Sequence, residues 1–500
     1  MKGGTKFCIS ATTLFVGLII AVVGVSFLHF FPIIFDEALK KQTRLVEGST
    51  GYNIWESPPA DIFIDFYVWH LENPLEVEKG AKPNVTQRGP YTYRETRSKD
   101  FIQNNKNGTL SYVQPERYVF DPVHSEGRDP KVDNFTTVNM PLLTIINQLQ
   151  YMPENYRYLF NVFANLLERH LHATHTVHDF IWGYFSPLLA LAKILRPEMV
   201  ATDEFGIYVG KNNSSDGVYT VYDGVRNYTK TNEIERWNGK DDVSYWTTKY
   251  ANRINGTDGT YFRQFLTKEE KIYIFISDIC RSVYATFQNE SETRQIPTWR
   301  YVIPKSVFDN HYIEPSNAAF CTPDKNSCPP GGILNITDCQ YGAPIYFSSP
   351  HFLFADNEVF QMINGVHPNN TLHQSYLEIE PYTGVPLKIG KRSQINTYIH
   401  SYDFIEFYKN VPKAYLPLVW MEERSFATKE AADELKRQLM VPLAIGKYSP
   451  WVAFSLGILI LLVGIGCSRY QWKQWNENPS LAINSVMTDE EIEPMMHDCM

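Results

Sequence analysis

Four histidines lie close together in the chain, at His170, His172, His175 and His178. If this segment is helical, His172, His175 and His178 share one face of the helix, about 120° wide. Converging imidazoles can bind zinc, which needs three or four ligands, or report pH, because the charge of histidine changes near pH 6. Ordinary packed or solvated histidines are the third interpretation. We predict no metal site, and we take His172, His175 and His178 as candidate pH sensors.

Catalytic motifs are absent from the sequence. It has no G-x-S-x-G, H-E-x-x-H, G-x-G-x-x-G or Walker pattern. The segment from Asn212 to Asp223 imitates a calcium loop but lacks the leading Asp and the Glu at position 12. We therefore expect neither an enzyme nor a cofactor.

The 500 residues include 46 Lys and Arg against 55 Asp and Glu, a formal charge of −9. A nucleic-acid-binding protein is usually basic or has a basic stripe, so no nucleic-acid partner is expected.

Cysteines divide into two groups. Four of the seven lie in the middle of the chain, at Cys280, Cys321, Cys328 and Cys339. Four cysteines allow three pairings, and arithmetic alone does not choose among them. Cys8 and Cys467 lie at the ends of two apolar runs, where thiols are either palmitoylated or inert. We name both as lipidation candidates.

Two apolar segments frame the chain. Residues 7–35 and 448–468 contain no charged side chain, and each is long enough to span a membrane, which needs about 20 apolar residues. We predict spans at 7–30 and 448–468. Lys2 and Lys6 before the first span, with Arg469 and Lys473 after the second, favour cytoplasmic tails at 1–6 and 469–500.

Ten N-glycosylation sequons support this topology, since sequons are used only on the lumenal side. They all lie between the two spans, at Asn84, Asn107, Asn134, Asn212, Asn213, Asn227, Asn255, Asn289, Asn335 and Asn369. Residues 31–447 are therefore predicted to form one lumenal or extracellular block. The lumen and the extracellular space are oxidising, so disulfides can form in this block.

This block is predicted to be one strand-rich domain. A helix is expected to continue from the first span over 36–47. Residues 61–69 are β-branched and aromatic, and Asn107-Gly108 indicates a hairpin. Further short strands are predicted at 205–228, 271–276, 298–303, 343–347, 376–380 and 394–399.

Residues 140–196, which we call the helical insert, break the strand pattern. Leu159, Val162 and Leu166 recur at helical spacing, as do later apolar residues from Val177 to Leu195. The insert contains no sequon, so it either presents a glycan-free partner-binding face or lacks sequons by chance.

Several segments, in order along the block, resemble the class B scavenger receptor family. They include Trp55-Glu56-Ser57-Pro58-Pro59, Gly89-Pro90-Tyr91-Thr92-Tyr93-Arg94-Glu95, Trp237-Asn238-Gly239-Lys240, Ile279-Cys280-Arg281-Ser282-Val283-Tyr284, Ser349-Pro350-His351-Phe352 and His367-Pro368-Asn369. Thr174-His175-Thr176-Val177 and Trp182-Gly183-Tyr184 are most similar to its lysosomal integral membrane protein type 2 branch.

The resemblance implies an α+β fold: a large antiparallel β-barrel with a helical bundle at its membrane-distal apex, an internal apolar tunnel, and two membrane anchors. The tunnel of family members carries fatty acids, sterols or phospholipids. Their apex binds lipoproteins, apoptotic surfaces or a lysosomal hydrolase. The helical insert corresponds to this apex, and its candidate partner-binding residues are Tyr151, Glu154, Arg157, Tyr158, Phe163, Arg169 and His170. By position, the resemblance also implies Cys280–Cys339 and Cys321–Cys328 disulfides.

Two departures from the family pattern bear on function. The positions of a third disulfide found in some members are Tyr250 and Ala319 here. The helical insert has four basic and three acidic residues, a net charge of +1 with neutral histidines, whereas lipoprotein-binding members present a basic apex. This disfavours binding of anionic lipoprotein at neutral pH.

We therefore expect a two-span receptor at the plasma membrane or in endosomes and lysosomes, which binds lipid-bearing ligands and transfers apolar cargo. Homo-oligomers are compatible with this architecture. The alternative is a sorting receptor that releases a lysosomal hydrolase in acid. The acidic tail, with Glu491 followed by Met495-Met496, imitates a sorting signal or is simply solvated. A trimeric ion-channel subunit is disfavoured because the second span has few polar residues.

Overall fold

The computed structural model describes residues 2–167, 170–195, 200 and 202–477. Glu168, Arg169, Arg196 and the predicted sorting signal lie outside these residues. Two compact units are present: residues 1–41 with 433–500, and residues 42–432.

Both ends of the described chain contain long helices. The helices are α1 (Lys2–Thr43), α2 (Thr50–Glu56), α3 (Pro74–Glu78), α4 (Met140–Leu149), α5 (Glu154–Leu167), α6 (Val177–Trp182), α7 (Pro187–Leu195), α8 (Lys249–Asn252), α9 (Asn357–Met362), α10 (Asn370–His373), α11 (Lys429–Leu435) and α12 (Val441–Glu477). A short π-helical segment, Lys436–Met440, joins the last two.

The unit made of the two chain ends carries the membrane spans. Helices over Ala11–Thr43 and Lys429–Gln474 are long and apolar enough to cross a bilayer. Within this unit α1 and α12 approach closely at glycines: a Cβ added at Gly457 would lie 2.5 Å from the backbone nitrogen of Ala21. Small residues allow such backbone contact between membrane helices. The predicted continuation of the first span ends at Thr43 rather than at Glu47.

Strands dominate the unit formed by residues 42–432. They are β1 (Ala60–Leu71), β2 (Val85–Arg97), β3 (Asp100–Asn104), β4 (Thr109–Val113), β5 (Glu116–Phe120), β6 (Asn134–Val138), β7 (His172–Thr176), β8 (Tyr184–Phe185), β9 (Glu204–Phe205), β10 (Val218–Tyr222), β11 (Ile234–Trp237), β12 (Ile272–Ile276), β13 (Arg281–Thr293), β14 (Ile296–Val302), β15 (Ile333–Asn335), β16 (Ile345–Ser348), β17 (Tyr376–Ile379), β18 (Pro386–Ile399) and β19 (Ala414–Ala427). The predicted strands are confirmed, except that 205–228 is only partly extended and that 394–399 is the end of the longer β18.

Eleven strands form one antiparallel sheet in the order β12-β13-β14-β17-β18-β19-β1-β2-β5, with β16 joining β18 to β15. The long strands β18, β19, β1 and β2 lie side by side in the sheet. Most of their apolar residues are buried, and contacts between side chains on neighbouring strands stabilise this arrangement. The resemblance implied a barrel, but among the described strands the pairing path from β12 to β5 is open. The smaller β3–β4 sheet contains the hairpin predicted at Asn107-Gly108.

The main hydrophobic core lies between the large sheet and the helical insert. Phe66 and Trp69 of β1 belong to the same buried cluster as Leu142 and Ile146 of α4. The Asn139 side chain accepts a hydrogen bond from the Leu142 backbone N–H at 3.2 Å and begins α4. The insert is therefore anchored to the sheet by its first helix.

The four central cysteines form two disulfides, Cys280–Cys339 and Cys321–Cys328. These are the pairs that the resemblance implied. At the site of the missing third disulfide, the backbone N–H and the hydroxyl of Thr247 both donate to the carbonyl of Ala319. Hydrogen bonds thus connect these two segments without a covalent bond.

Candidate functional site

The histidines of the insert do not share a helix face, so this prediction was wrong. His172 and His175 belong to β7, which pairs with β6 in a two-stranded hairpin. Because alternate side chains of a strand point to opposite faces, His172 and His175 lie on opposite faces of β7. The Thr176 hydroxyl accepts a hydrogen bond from the Asp179 N–H at 3.0 Å, so helix α6 begins only at Val177.

His175 is a half-buried imidazole. Its ring stacks on Tyr184 with 4.0 Å between centroids, and its Nε2 has no hydrogen-bond partner among the described residues. Burial lowers the pKa of His175, and the nearby Asp179 carboxylate opposes this shift. His178 lies closer to solvent, 3.5 Å from Asp179. Of the three pH-sensor candidates, His175 is the one with a buried ring nitrogen that has no hydrogen-bond partner among the described residues.

His170 and His172 lie beside the carboxylate of Glu78 at the end of α3. The ligand atoms of these three residues are within 4.8 Å of one another, so they could hold a metal ion. The sequence did not reveal Glu78, which is 92 positions before His170. A second group, His311 with Cys321 and Cys328, also has close ligand atoms, but the disulfide between its cysteines leaves no thiolate to bind a metal.

The predicted partner-binding residues are mostly on the surface. Tyr151, Glu154 and Tyr158 are exposed. Arg157 is half-buried: its Nε donates to the carbonyl of Met152 at 2.8 Å. Its guanidinium lies 5.7 Å from the centre of a phenylalanine ring. It therefore supports the start of α5 rather than projecting freely. The side chain of Phe163 and all of Arg169 lie outside the described residues.

Further large apolar side chains of the insert are exposed. They are Tyr156, Val162, Phe185 and Ile194. Tyr156, Phe185 and Ile194 were not predicted, because helical spacing alone does not tell which apolar positions face solvent. Exposed apolar residues gathered on one segment are typical of a binding surface for a protein or lipid.

The sequons are accessible. Of the ten asparagines, Asn255 and Asn335 are half-buried and the other eight are exposed. Cys467 is a free, exposed thiol, whereas the side chain of Cys8 lies outside the described residues. Glycosylation and lipidation at these positions stay predictions.

A cluster of charged side chains crosses the large sheet. Arg97 of β2 contacts Glu95 and lies 2.9 Å from Glu423 of β19. Glu423 in turn lies 3.2 Å from Lys391, its cross-strand neighbour in β18. Asp278 continues the cluster from Lys391, at 3.9 Å. The sequence motifs did not indicate this cluster, because its members come from four separate segments.

Carboxylates outnumber cations around Arg97, which also lies 3.6 Å from Glu116. Burial raises the pKa of Glu95, even though Arg97 lowers it. The Glu95 Oε2 atom is buried and has no hydrogen-bond partner within the described ranges. By contrast, Lys391 holds its proton more firmly, because the Glu423 carboxylate raises its pKa. Glu95 is therefore the carboxyl of this cluster that most readily stays protonated.

The two motifs Ser349-Pro350-His351-Phe352 and His367-Pro368-Asn369 meet in the fold. The backbone N–H of His367 donates to His351 Nδ1 at 3.0 Å. The ring of His351 stacks on His373 of α10, with centroids 4.2 Å apart and planes at 7°. Both rings are buried. Burial lowers the pKa of His351 to about 3 and that of His373 to about 4, so both are neutral at ordinary pH.

One surface cleft has a volume of about 520 Å³. Its lining includes Lys230, Glu233, Arg253, Arg263 and the sequon residue Asn255. Burial raises the pKa of Glu233 against the opposing effect of Lys230. The charged lining suits a polar ligand or a glycan, and it does not suit an acyl chain.

Comparison with known proteins identifies the family. The family model described as the CD36 family matches residues 15–468. Lysosome membrane protein 2 from Mus musculus is 36% identical over 457 residues, 91% of this chain and 93% of that protein. Scavenger receptor class B member 1 from Bos taurus is 30% identical over 458 residues, 91% of this chain and 89% of that protein.

The same receptor from Rattus norvegicus is 32% identical over 450 residues, 90% of this chain and 87% of that protein. The family model covers the whole strand-rich unit, residues 42–432. The chain belongs to the CD36 family, as its motifs predicted.

Proposed function

We propose that the protein is a non-enzymatic scavenger-type receptor that binds lipid or lipid-bearing ligands and transfers their apolar cargo through its lumenal domain to the membrane. The observation that carries this proposal is family membership over residues 15–468. The exposed apolar residues of the insert supply a contact surface. The two membrane helices at the chain ends supply an anchor.

The energetic reason for a conduit is simple. Moving an acyl chain into water costs about 0.8 kcal/mol per CH₂ group. A dry tunnel through this domain, as the family resemblance implies, would remove this barrier without catalysis, and cargo would move down its concentration gradient. In this arrangement both tails are cytoplasmic, residues 31–447 are lumenal or extracellular, and palmitoylated Cys8 and Cys467 would add to the anchoring.

The experiment separates transfer from tethering. Cells expressing the full chain are given particles that carry one label on their surface protein and another on an acyl lipid. We expect uptake of the lipid label to exceed uptake of the particle label. Equal uptake of both labels, or binding without lipid uptake, would contradict the transfer mechanism.

The contact surface is tested by substitution. Tyr158→Asp and Ile194→Asp should lower particle binding, because each puts a charge into the exposed apolar surface of the insert. Tyr312→Asp is the matched control, since Tyr312 is equally exposed but lies outside the insert. An equal loss in all three variants would argue against this surface.

A second function, acid-dependent sorting of a soluble hydrolase, is favoured by the half-buried His175. Protonation of this ring would place a charge between Tyr184 and helix α6, which follows β7. The Nε2 atom of the ring has no hydrogen-bond partner there among the described residues. The 36% identity to a lysosome membrane protein agrees with an acidic location.

Pulldown from a lysosomal extract at pH 7.4 and pH 5 tests sorting. A bound hydrolase that is released at pH 5 from the wild type and from His178→Asn, but retained by His175→Asn, supports it. Capture of no hydrolase at either pH would exclude this function.

A further inference from the structure

We propose that Glu78, His170 and His172 form a binding site for a divalent transition-metal ion, with zinc as the best fit. It differs from the sequence-based prediction of no metal site, which considered only histidines along one helix. The site does not depend on lipid transfer or on hydrolase sorting.

The spacing of the ligand atoms is close to that around zinc, with one distance inside the zinc range and the other shorter than it. His172 Nδ1 lies 3.0 Å from Glu78 Oε1, and His170 Nδ1 lies 3.4 Å from Glu78 Oε2. Around a tetrahedral zinc with bonds of about 2.0–2.2 Å, neighbouring ligand atoms lie about 3.3–3.6 Å apart. The three groups therefore need only small rotations of their side chains to bind one ion.

The backbone on both sides of the site is held in place. The Leu171 N–H donates to Glu78 Oε1 at 2.8 Å, which orients the carboxylate towards the two imidazoles. The carbonyl of Leu171 accepts a hydrogen bond from the Asn139 N–H at 2.8 Å, and the Leu171 side chain is fully buried. Outer contacts of this kind orient metal ligands and raise affinity.

The ligand types select the class of metal. Imidazole nitrogens suit zinc, copper, nickel and iron, whereas calcium and magnesium prefer oxygen ligands. Two neutral imidazoles and one carboxylate give the site one negative charge, which partly compensates a divalent cation. Glu78 and His172 are largely buried, with side chains 13% and 16% exposed, while His170 is 55% exposed.

This asymmetry leaves the fourth coordination position open on the solvent side. A zinc site with three protein ligands keeps that position for water or for a group from another molecule. The bound ion would connect helix α3, which follows β1, to the first residue of β7 in the insert. We therefore expect the metal to make the insert more rigid relative to the large sheet.

Zinc binding is measured on the full chain in detergent, purified with a tag that contains no histidine. The protein is stripped with EDTA and dialysed against zinc-buffered solutions, and zinc per chain is determined by elemental analysis. Wild type and the control His178→Ala should bind equally. His170→Ala and His172→Ala should each bind one zinc ion fewer per chain than the wild type. Their zinc affinity should fall about 100-fold or more, because loss of a ligand costs at least as much as loss of an outer hydrogen-bond contact to a ligand.

His170→Ala guards against misfolding as an explanation, because its side chain is mostly exposed. Its melting temperature without zinc should equal that of the wild type, whereas added zinc should raise only the melting temperature of the wild type and of His178→Ala. Equal zinc binding by wild type and both variants, or no zinc bound by wild type, would overturn the proposal. Displacement of the zinc by equimolar Ca²⁺ would also overturn it.

Discussion

Acidification should destabilise the unit formed by residues 42–432 through the stacked pair His351 and His373. Both side chains are neutral in the folded protein, because burial lowers their pKa to about 3 and about 4 from the ordinary 6.5. In the unfolded chain they take up protons below pH 6.5. The unfolded state therefore binds more protons in acid, and stability is lost as the pH falls below 6.5 towards the folded-state values.

The magnitude follows from the pKa difference. At pH 5 an unfolded histidine lies 1.5 units below its ordinary pKa of 6.5, and each unit corresponds to about 1.36 kcal/mol. Each residue should therefore lower the free energy of unfolding by about 2 kcal/mol between pH 8 and pH 5, and the pair by about 4 kcal/mol. Both side chains are under one-tenth exposed, at 8% and 5%, so solvent screening changes this little.

His373→Asn isolates one of the two contributions. The backbone N–H of Asn369 donates to His373 Nδ1 at 3.0 Å, and an asparagine oxygen can accept the same bond. The variant should be less stable at both pH values, but its loss between pH 8 and pH 5 should be about 2 kcal/mol smaller than that of the wild type. His178→Asn, at a half-exposed position, serves as the control.

Urea unfolding of the full chain in detergent, followed by tryptophan fluorescence, measures this difference. Two of the ten tryptophans lie beside the pair: Trp69 is 4.7 Å from His351 and Trp420 is 5.9 Å from His373, by ring centroids. If wild type and His373→Asn lose the same stability between pH 8 and pH 5, the pair is not a neutral buried unit and the reasoning fails.

Three further predictions concern other parts of the chain. Gly457→Leu should reduce the amount of folded protein in cell membranes, because its Cβ would meet the backbone of α1, whereas Gly466→Leu should not, since a Cβ there meets no described atom within 4 Å. Equal amounts of both variants in the membrane fraction would contradict close helix packing. Glu423→Gln should lower the free energy of unfolding at pH 6 by roughly 3 kcal/mol, the low end for loss of one partner of a buried ion pair, because the Arg97 and Glu423 side chains stay 11% and 18% exposed. Glu95→Gln should change it little, because burial raises the pKa of that carboxyl; urea unfolding of both variants decides this. Cys280→Ser opens a disulfide that closes a loop of 59 residues, and in the chain-entropy model it should lower the free energy of unfolding by about 4 kcal/mol. Thermal melting should therefore show a large drop in melting temperature, and an unchanged melting temperature would mean that the bond does not form.

Local chemistry explains what could be predicted from the sequence. An uncharged apolar run of about 20 residues predicts a membrane span. The structure has a helix of the required length and composition at each of the two predicted spans. Alternating β-branched and aromatic residues predicted β1, because such residues pack well on a half-buried pleated surface. The ordered motifs predicted the family, which the comparisons confirmed.

The histidine segment shows where local patterns fail. Apolar residues before and after this segment, from Leu159 to Leu166 and from Val177 to Leu195, recur at helical spacing, yet His172–Thr176 is a strand. Pairing with β6 satisfies its backbone groups, and the paired residues lie 34 to 42 positions earlier in the chain, from Val138–His172 to Asn134–Thr176. A long-range hydrogen-bond ladder therefore overrides a short-range pattern.

The sequence by itself determined the two spans and most strands, because these depend on runs of neighbouring side chains. Only the tertiary structure placed Glu78 beside His170 and His172, stacked His351 on His373, and joined Arg97 to Glu423. Each of these groups combines residues that are far apart in the chain. Their electrostatic interactions depend on distance and burial, and both are set only when the strands pair and the core closes.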